Sequence, residues 1–262
     1  MLHAHEKGDP SAPALMLLHG FMGRGASWAE WSTPLAATHR VLMPDLPGHG
    51  ASLGLEAQAY TMPGAAAALI ELLDAEAVAC ADIVGYSMGG RLALYLAVHH
   101  PARVRSLMLV SASPGLPTAS ARAERRRQDA ARADALQADF KGFVARWYGQ
   151  AVFDGLPPTL RAARVALRQE NDPAELARSL HGMGTGAQPP LWERLDALTV
   201  STAALAGGRD AKYVAIAQAM ATASPPITAH VCAGAGHVLH DEHPVAVRRV
   251  LALQLSPSPV CL

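Results

Sequence analysis

The chain has 262 residues, half of them hydrophobic, which is enough for one α/β domain with helices on both faces of a sheet. Its 22 basic residues balance its 22 acidic residues, so the charge favours neither nucleic acid nor an anionic membrane as a partner. No apolar run approaches the roughly 18 residues that span a bilayer. The N-terminal residues also lack a basic segment followed by an apolar stretch, so we expect a soluble cytoplasmic protein.

The first half of the chain alternates short apolar runs with helix-forming stretches. The pattern predicts strands over residues 2–5, 15–18, 40–43, 82–84 and 104–110. It predicts helices over residues 27–37, 62–73 and 92–99. Strands that alternate with helices in this way indicate an α/β fold with a doubly wound, mostly parallel sheet.

The alternation stops between residues 114 and 198, where no convincing strand occurs. Helix-forming stretches cover residues 119–138, 140–148, 159–170 and 173–180. The simplest interpretation is a helical cap inserted between two core strands, over the strand ends where α/β proteins bind their ligands. We therefore predict a core of residues 1–113 and 199–262 and a cap of residues 114–198.

A short apolar run ends in Gly85-Tyr86-Ser87-Met88-Gly89, and helix-forming sequence follows. Strand, sharp turn and helix are the context of a nucleophile elbow, which holds a serine hydroxyl up at the turn. Gly85 and Gly89 would let the strand and the helix approach closely, while the serine takes a strained backbone conformation. G-x-S-x-G occurs often by chance, so the motif needs support from the rest of the chain.

Two later strand-like runs, over residues 201–206 and 227–232, each lead into a turn that carries a candidate partner for the serine. Asp210 follows the first run and His237 follows the second. The order Ser87, Asp210, His237 is that of α/β-hydrolases and not of chymotrypsin or subtilisin. A serine hydroxyl becomes useful at neutral pH when a histidine takes its proton, and the aspartate would fix the tautomer of that histidine.

A loop of sequence HGFMG, residues 19–23, follows the strand predicted over residues 15–18. Loops of this type donate one backbone amide to an oxyanion hole, and the residue after the nucleophile, Met88, would donate the other. The alternative is four coincidental loops in an ordinary α/β protein. That alternative is disfavoured because all four loops follow strand-like runs in the expected order.

His237 is one of 12 histidines, and it alone follows a strand-like run and a glycine-rich turn after the candidate acid. His49 lies in a Pro-Gly-His-Gly turn and is interpreted as structural. We expect the histidines at helix ends and in loops to be solvated: His99, His100, His240 and His243. For the acid, Asp210 is preferred to Asp196 and Asp241 because it closes a strand.

Segments of both core and cap resemble one family of the α/β-hydrolase superfamily, the 2-succinyl-6-hydroxy-2,4-cyclohexadiene-1-carboxylate synthases of menaquinone biosynthesis. The similar segments are residues 19–23, 45–50, 85–91, 146–153, 166–168, 206–213 and 235–237. The resemblance extends from about residue 2 to residue 255. Many hydrolases share the core motifs, so the cap segments and Arg91 are the specific part.

This resemblance implies a lyase. The family acts on 2-succinyl-5-enolpyruvyl-6-hydroxy-3-cyclohexene-1-carboxylate, which presents three carboxylates, and eliminates pyruvate after a proton abstraction, without hydrolysis. By resemblance, Ser87, His237 and Asp210 form the base that removes a ring proton. The backbone amides of Phe21 and Met88 would stabilise the negative charge that develops on a substrate carboxylate.

The resemblance also implies which side chains bind the substrate. Arg91, Arg125 and Arg168 would bind carboxylates, because a planar guanidinium pairs with a carboxylate in bidentate fashion. Tyr86 and Trp147 would line the pocket. Three of these residues have a plainer alternative: Arg91 pairs with a surface acid, Trp147 packs in the cap core, and Arg168 is an exposed helical charge.

Three consecutive arginines, residues 125–127, lie in the first predicted cap helix. At most one or two of them can face the pocket, because consecutive positions on a helix point in different directions. Arg125 is favoured from its offset to Asp129, and the others are interpreted as a solvated helix face.

No metal or organic cofactor is implied, and the cysteines at positions 80, 232 and 261 show no metal-ligand spacing. We expect a small anionic polycarboxylate as substrate, no nucleic acid and no membrane insertion. The oligomeric state stays open, with a monomer slightly favoured. Residues 256–262, rich in serine and proline, are expected to be disordered.

Two other functions use the same residues. A serine carboxylesterase for small acyl esters would use the same triad through an acyl-serine, and fold and triad do not separate it from a lyase. Inward-facing arginines favour the lyase, whereas an apolar acyl slot favours the esterase. A non-catalytic binding protein of this fold is disfavoured because the triad and the oxyanion loop are complete.

Overall fold

The computed structural model describes residues 1–255, which contain one seven-stranded sheet. Its strands are β1 (Ala4–Lys7), β2 (Ala14–Leu18), β3 (Arg40–Pro44), β4 (Ala81–Tyr86), β5 (Val104–Val110), β6 (Thr202–Gly207) and β7 (Ile227–Cys232). Their spatial order is β1-β3-β2-β4-β5-β6-β7. Only β1 runs antiparallel to its neighbour among these strands, so the predicted doubly wound, mostly parallel sheet is confirmed.

Ten α-helices lie between or after the strands in the described part of the chain. They are α1 (Ala29–Leu35), α2 (Met62–Ala75), α3 (Met88–His99), α4 (Ala119–Ala138), α5 (Phe140–Tyr148), α6 (Pro158–Arg168), α7 (Pro173–Met183), α8 (Ala211–Ala223), α9 (Leu239–Glu242) and α10 (Pro244–Gln254). Short 3-10 helices occur at Gly25–Trp28, Ala57–Tyr60, Pro101–Arg103, Ala151–Phe153 and Trp192–Ala197. No helix within residues 1–255 is both long enough and apolar enough to span a membrane.

The central strands of the sheet are buried on both faces, which is why they are rich in apolar residues, whereas the edge strands β1 and β7 are partly exposed. Met16 and Leu18 of β2 belong to a hydrophobic cluster with α2, α3 and α8. Leu15 and Leu17, which point to the opposite face, belong to a second cluster with α1 and α10. Because β2 to β7 run parallel, their carboxyl ends meet at one edge of the sheet, where loops can converge on a site.

Four helices, α4 to α7, cover this edge. Residues 111–201 contain these four helices and no strand, as the sequence predicts. A third hydrophobic cluster joins them to the core: Leu136, Val144 and Leu176 of the helices pack with Met22 after β2 and Val238 after β7. The division into a core and a cap unit at residues 113/114 and 198/199 stays a prediction.

Some predicted boundaries differ from those observed. The edge strand predicted over residues 2–5 is β1 at Ala4–Lys7, because antiparallel pairing with β3, from Ala4 opposite Pro44 to Lys7 opposite Val41, fixes its extent. The helix predicted over residues 27–37 is a 3-10 turn followed by α1. Residues 256–262, predicted to be disordered, lie outside the described residues.

Candidate active site

Ser87 lies at the sharp turn between β4 and α3. Its backbone φ of 50° and ψ of −107° are the strained conformation expected of a nucleophile elbow. Gly85 and Gly89 make this turn possible: a Cβ on Gly85 would lie 2.6 Å from the Cα of Gly90, and one on Gly89 would lie 2.6 Å from the carbonyl oxygen of His19. The small residues of the motif are therefore required by contacts between backbones.

Asp210 and His237 meet across two loops at the ends of β6 and β7. The Nδ1 atom of His237 lies 2.7 Å from Oδ2 of Asp210, and the backbone N–H of Tyr213 donates to Oδ1 of the same carboxylate at 3.3 Å. Burial raises the pKa of the Asp210 carboxyl, but the hydrogen bond and charge of His237 outweigh burial and lower that pKa overall. The aspartate is therefore ionised at neutral pH and holds the imidazole in one orientation.

Ser87, Asp210 and His237 line one cavity of about 320 Å³. It lies between the carboxyl ends of the strands and the helices α4 to α7. Phe21 and Met88, predicted to supply the oxyanion-hole amides, line the same cavity. The sequence-predicted triad and oxyanion residues are thus brought together in space, and their catalytic roles stay predictions.

The loop that carries Phe21 is held by the buried side chain of His19. The Nε2 atom of His19 accepts a hydrogen bond from the backbone N–H of Leu46 at 3.0 Å, so Nδ1 carries the proton and donates to the carbonyl of Gly20 at 2.9 Å. Burial and the neighbouring imidazole of His49 hold the pKa of His19 well below its ordinary value. A neutral His19 thereby fixes the loop after β2 against the loop after β3.

Arg91 and Arg168 also line the cavity, and both are buried, with 8 % and 9 % of their surface exposed. Arg91 donates to the side-chain oxygen of Gln188 at 3.2 Å, and burial lowers the pKa of Arg91 to about 10. Arg168 donates to the hydroxyls of Tyr148 at 3.1 Å and Ser27 at 3.0 Å. These partners are neutral, so both guanidinium charges remain available to an anion in the cavity.

Arg125 is the cavity-lining member of the arginine run. Its Nε donates to Oδ1 of Asp129 at 2.7 Å, as the offset between the two residues suggests. Arg126 donates to the carbonyl of Gly186 at 3.0 Å, and Arg127 pairs with Glu124 at the surface. The structure therefore separates three consecutive arginines that the sequence alone does not distinguish.

Tyr86 and Trp147 lie at the cavity wall, as the resemblance implies. The ring of Tyr86 is 5.7 Å from that of His237, measured between centroids. The indole of Trp147 packs edge-on against Phe21 at 5.7 Å and stacks on Phe143 at 5.8 Å. Trp147 thus contributes to the packing of the cap helices and to the cavity surface at once.

Several cavity residues were missed by the sequence reasoning. Arg132, Tyr148, Arg164 and Lys212 all line the cavity. Arg132 follows Arg125 by seven positions, and Arg164 precedes Arg168 by four, so helical spacing could have identified both. Helical spacing could not have identified Lys212. It is the second residue of α8, and only the fold brings it to the site.

The prediction that His240 is solvated is wrong. Only 8 % of its surface is exposed, and its ring lies 4.3 Å from that of Tyr86 and 4.9 Å from that of Trp28. The short helix α9 turns this side chain inward, and burial lowers the pKa of His240 to about 4. The three other histidines of that group, His99, His100 and His243, are exposed as predicted.

His49 is completely buried, in keeping with a structural role in its turn. Its Nδ1 atom lies 3.0 Å from the carbonyl oxygen of Pro47, within the same turn. Burial lowers the pKa of His49 to about 4, so the imidazole is neutral at physiological pH.

Comparisons with known proteins are consistent with this geometry. The profile of the Alpha/beta hydrolase family matches residues 15–250. The chain is 37% identical over 258 residues to the 2-succinyl-6-hydroxy-2,4-cyclohexadiene-1-carboxylate synthase of Salmonella agona (strain SL483), which covers 96% of this chain and 98% of that protein.

Two solved structures are similar over nearly the whole chain. MenH from S. aureus superposes with a TM-score of 0.91 at 30% identity, covering 97% of this chain and 98% of that one. A thermophilic esterase from Thermogutta terrifontis, with malate bound, superposes with a TM-score of 0.82 at 25% identity, covering 97% of this chain and 92% of that one.

Proposed function

This chain belongs to the alpha/beta hydrolase family and, within it, to the 2-succinyl-6-hydroxy-2,4-cyclohexadiene-1-carboxylate synthases, and on that premise we propose how its cavity works. The protein is a lyase of menaquinone biosynthesis. It eliminates pyruvate from 2-succinyl-5-enolpyruvyl-6-hydroxy-3-cyclohexene-1-carboxylate. The observation that supports this mechanism is that Ser87 and the hydrogen-bonded pair of Asp210 and His237 line the same cavity as two buried arginines whose hydrogen-bond partners are neutral.

Substrate binding follows from these charges. Arg91 and Arg168 are both buried, and a buried guanidinium attracts a carboxylate more strongly than one in bulk water does. Arg125, which shares its charge with Asp129, supplies a third cationic contact. Of the five arginines that line the cavity, these three would bind the three carboxylates of the substrate, while Tyr86 and Trp147 supply apolar surface for its ring.

The triad acts as the base. As Ser87 Oγ removes a proton from the substrate ring, His237 takes the hydroxyl proton, and Asp210 stabilises the imidazolium that forms. The electron pair of the broken C–H bond moves through the ring and expels the enolpyruvyl ether oxygen, so the C–O bond breaks. The leaving enolate then takes up a proton and is released as pyruvate. No bond forms between substrate and serine.

Negative charge that develops on the substrate as the ring proton leaves is stabilised by the backbone N–H groups of Phe21 and Met88. Donors that are already aimed in a dry site contribute on the order of 3 kcal/mol each. His19 supports this role, because its two hydrogen bonds fix the loop on which Phe21 lies.

An assay of pyruvate release from the purified protein tests the proposal, with a short-chain nitrophenyl ester as a second substrate. We expect fast pyruvate release and weak ester turnover. Both should fall by at least about 100-fold in Ser87→Ala, the loss expected when a general base is removed. Strong ester hydrolysis without pyruvate release would instead identify a carboxylesterase.

We also propose a cytoplasmic location and the division into a core (residues 1–113 and 199–262) and a cap (residues 114–198). A polyanionic substrate does not cross a bilayer unaided, so the enzyme has to meet it in the compartment where it is made. The third hydrophobic cluster supports the division, because the cap helices share it with only a few core residues.

A further inference from the structure

Outside the cavity, His3, His5 and Asp45 bring three metal-ligating side chains together. One ligand atom from each lies within 4.8 Å of the others. The Nδ1 atom of His3 is 3.1 Å from Oδ2 of Asp45, and the two imidazole rings are 4.8 Å apart at an interplanar angle of 82°. We propose that these three residues form a binding site for a divalent transition-metal ion, with Zn²⁺ as the first candidate.

The pairing of the outermost strand, β1, with β3 brings these three side chains together. His3 and His5 are two positions apart in extended chain, so their side chains point to the same side. β1 pairs antiparallel with β3, with Ala4 opposite Pro44, and this places Asp45 directly across from His3. The backbone N–H of Asp45 donates to the carbonyl of His3 at 2.8 Å, which fixes the two segments at ligand distance.

The carboxylate of Asp45 is already oriented for this role. Its Oδ1 accepts a hydrogen bond from the N–H of Gly25 at 2.6 Å, and its Oδ2 accepts one from the N–H of Ala51 at 2.8 Å. Only 2 % of Asp45 is exposed, whereas 45 % of the His3 side chain is. A buried carboxylate that faces two accessible imidazoles can receive a cation from solvent without rearranging its own loop.

The ligand set selects the class of ion. Two imidazoles and one carboxylate suit Zn²⁺ and its neighbours Ni²⁺, Co²⁺ and Cu²⁺, whereas Mg²⁺ and Ca²⁺ prefer oxygen ligands alone. Three protein ligands leave the fourth tetrahedral position to water. None of the three residues lines the catalytic cavity, so the ion would tie β1 to the loop after β3 and take no part in catalysis.

The full chain without a polyhistidine tag, stripped of metal with a chelator, is titrated with Zn²⁺ by calorimetry. We expect the wild type to bind one equivalent more than His3→Ala or His5→Ala. Saturating Zn²⁺ should raise the melting temperature of the wild type by about 2–5 °C, because an ion that binds only the folded chain stabilises it. The same addition should leave that of His5→Ala unchanged.

His181→Ala is the matched control, because His181 is exposed on α7 and lies outside the site. It should keep both the extra equivalent and the thermal shift. Each variant should release pyruvate at the wild-type rate in the presence of chelator, which shows that it is folded. Equal stoichiometry and an equal thermal shift in the wild type and His5→Ala would overturn the proposal.

Discussion

Individual side chains decide which anions the cavity accepts, and Arg91 shows this most clearly. It is buried at the start of α3, one turn after Ser87, and its observed partner is the neutral amide of Gln188. A buried charge without a countercharge is costly, so its presence beside Ser87 indicates an anionic ligand. That ligand, in our proposal, is a carboxylate of the substrate.

Arg91→Gln should therefore lower kcat/KM for pyruvate release by about 100-fold, because it removes a charge-assisted, bidentate contact of about 2–3 kcal/mol. The comparison is Arg127→Gln, which removes an exposed arginine from α4 and should stay within about twofold of the wild type. Steady-state kinetics with purified variants measure both values. Equal kcat/KM for the two variants would show that Arg91 does not bind the substrate.

Helix α4 carries two arginines of the cavity lining, and a carboxylate on the same helix fixes their positions. Asp129 is almost fully buried on this helix and accepts hydrogen bonds from Arg125 at 2.7 Å and from Arg132 at 3.0 Å. The backbone N–H of Gly186 donates to the same carboxylate at 3.2 Å, which links the helix to the loop after α7. One carboxylate thus orients two arginines that line the cavity.

Asp129→Asn should raise KM for the substrate by about tenfold while kcat changes little, because Arg125 loses the charged partner that orients it. Asp134→Asn, at an exposed position of the same helix, should leave both parameters unchanged. Melting temperatures of the two variants separate a loss of positioning from a loss of fold. An unchanged KM in folded Asp129→Asn would show that Arg125 does not depend on this contact.

The starts of helices that begin at a capping side chain could be predicted closely from the sequence. The helix predicted over residues 119–138 is observed at Ala119–Ala138, where the Thr118 side chain accepts a hydrogen bond from the N–H of Ala121 as an N-cap. α5 is capped in the same way by Asp139. The strand predicted over residues 2–5 is observed two residues later in the chain, as β1, because its extent depends on pairing with β3 and not on a local signal.

For the whole molecule, long-range contacts set the limit of what the sequence could predict. The residues predicted to form the triad and the oxyanion loop could be placed at one cavity because each follows a strand, and parallel strands bring their carboxyl ends together. The hydrogen bond between Arg91 and Gln188 joins residues 97 positions apart and has no local signature. The burial of His240 was missed for the same reason, since it depends on how α9 packs against Tyr86 and Trp28.

Buried histidines make the stability of the whole molecule depend on pH. The pKa values of His49 and His240 are lowered by burial from 6.5 to about 4. Between these values the unfolded chain binds protons that the folded chain does not, so the free energy of unfolding falls as the pH falls from 6.5 towards 4. Each such histidine should cost about 2 kcal/mol between about pH 7.5 and pH 5.

His240→Phe tests this dependence, because it removes one titrating group and keeps an aromatic ring between Tyr86 and Trp28. Urea unfolding at about pH 7.5 and about pH 5 should show a loss of stability that is smaller by roughly 2 kcal/mol in the variant. His100→Phe, at an exposed position, is the comparison and should lose as much stability as the wild type. An identical loss in His240→Phe would show that His240 titrates normally in the folded chain.

The central claim is that a hydrolase triad serves here as the base of an elimination. Elimination creates a second ring double bond for every pyruvate released, whereas hydrolysis of the enol ether would release pyruvate and leave an isolated double bond. The most direct measurement therefore follows the ultraviolet absorbance of the conjugated diene and the concentration of pyruvate in the same reaction. We predict that the two rise together in a one-to-one ratio and that both rates fall by at least about 100-fold in Ser87→Ala, whereas pyruvate without diene would contradict the account.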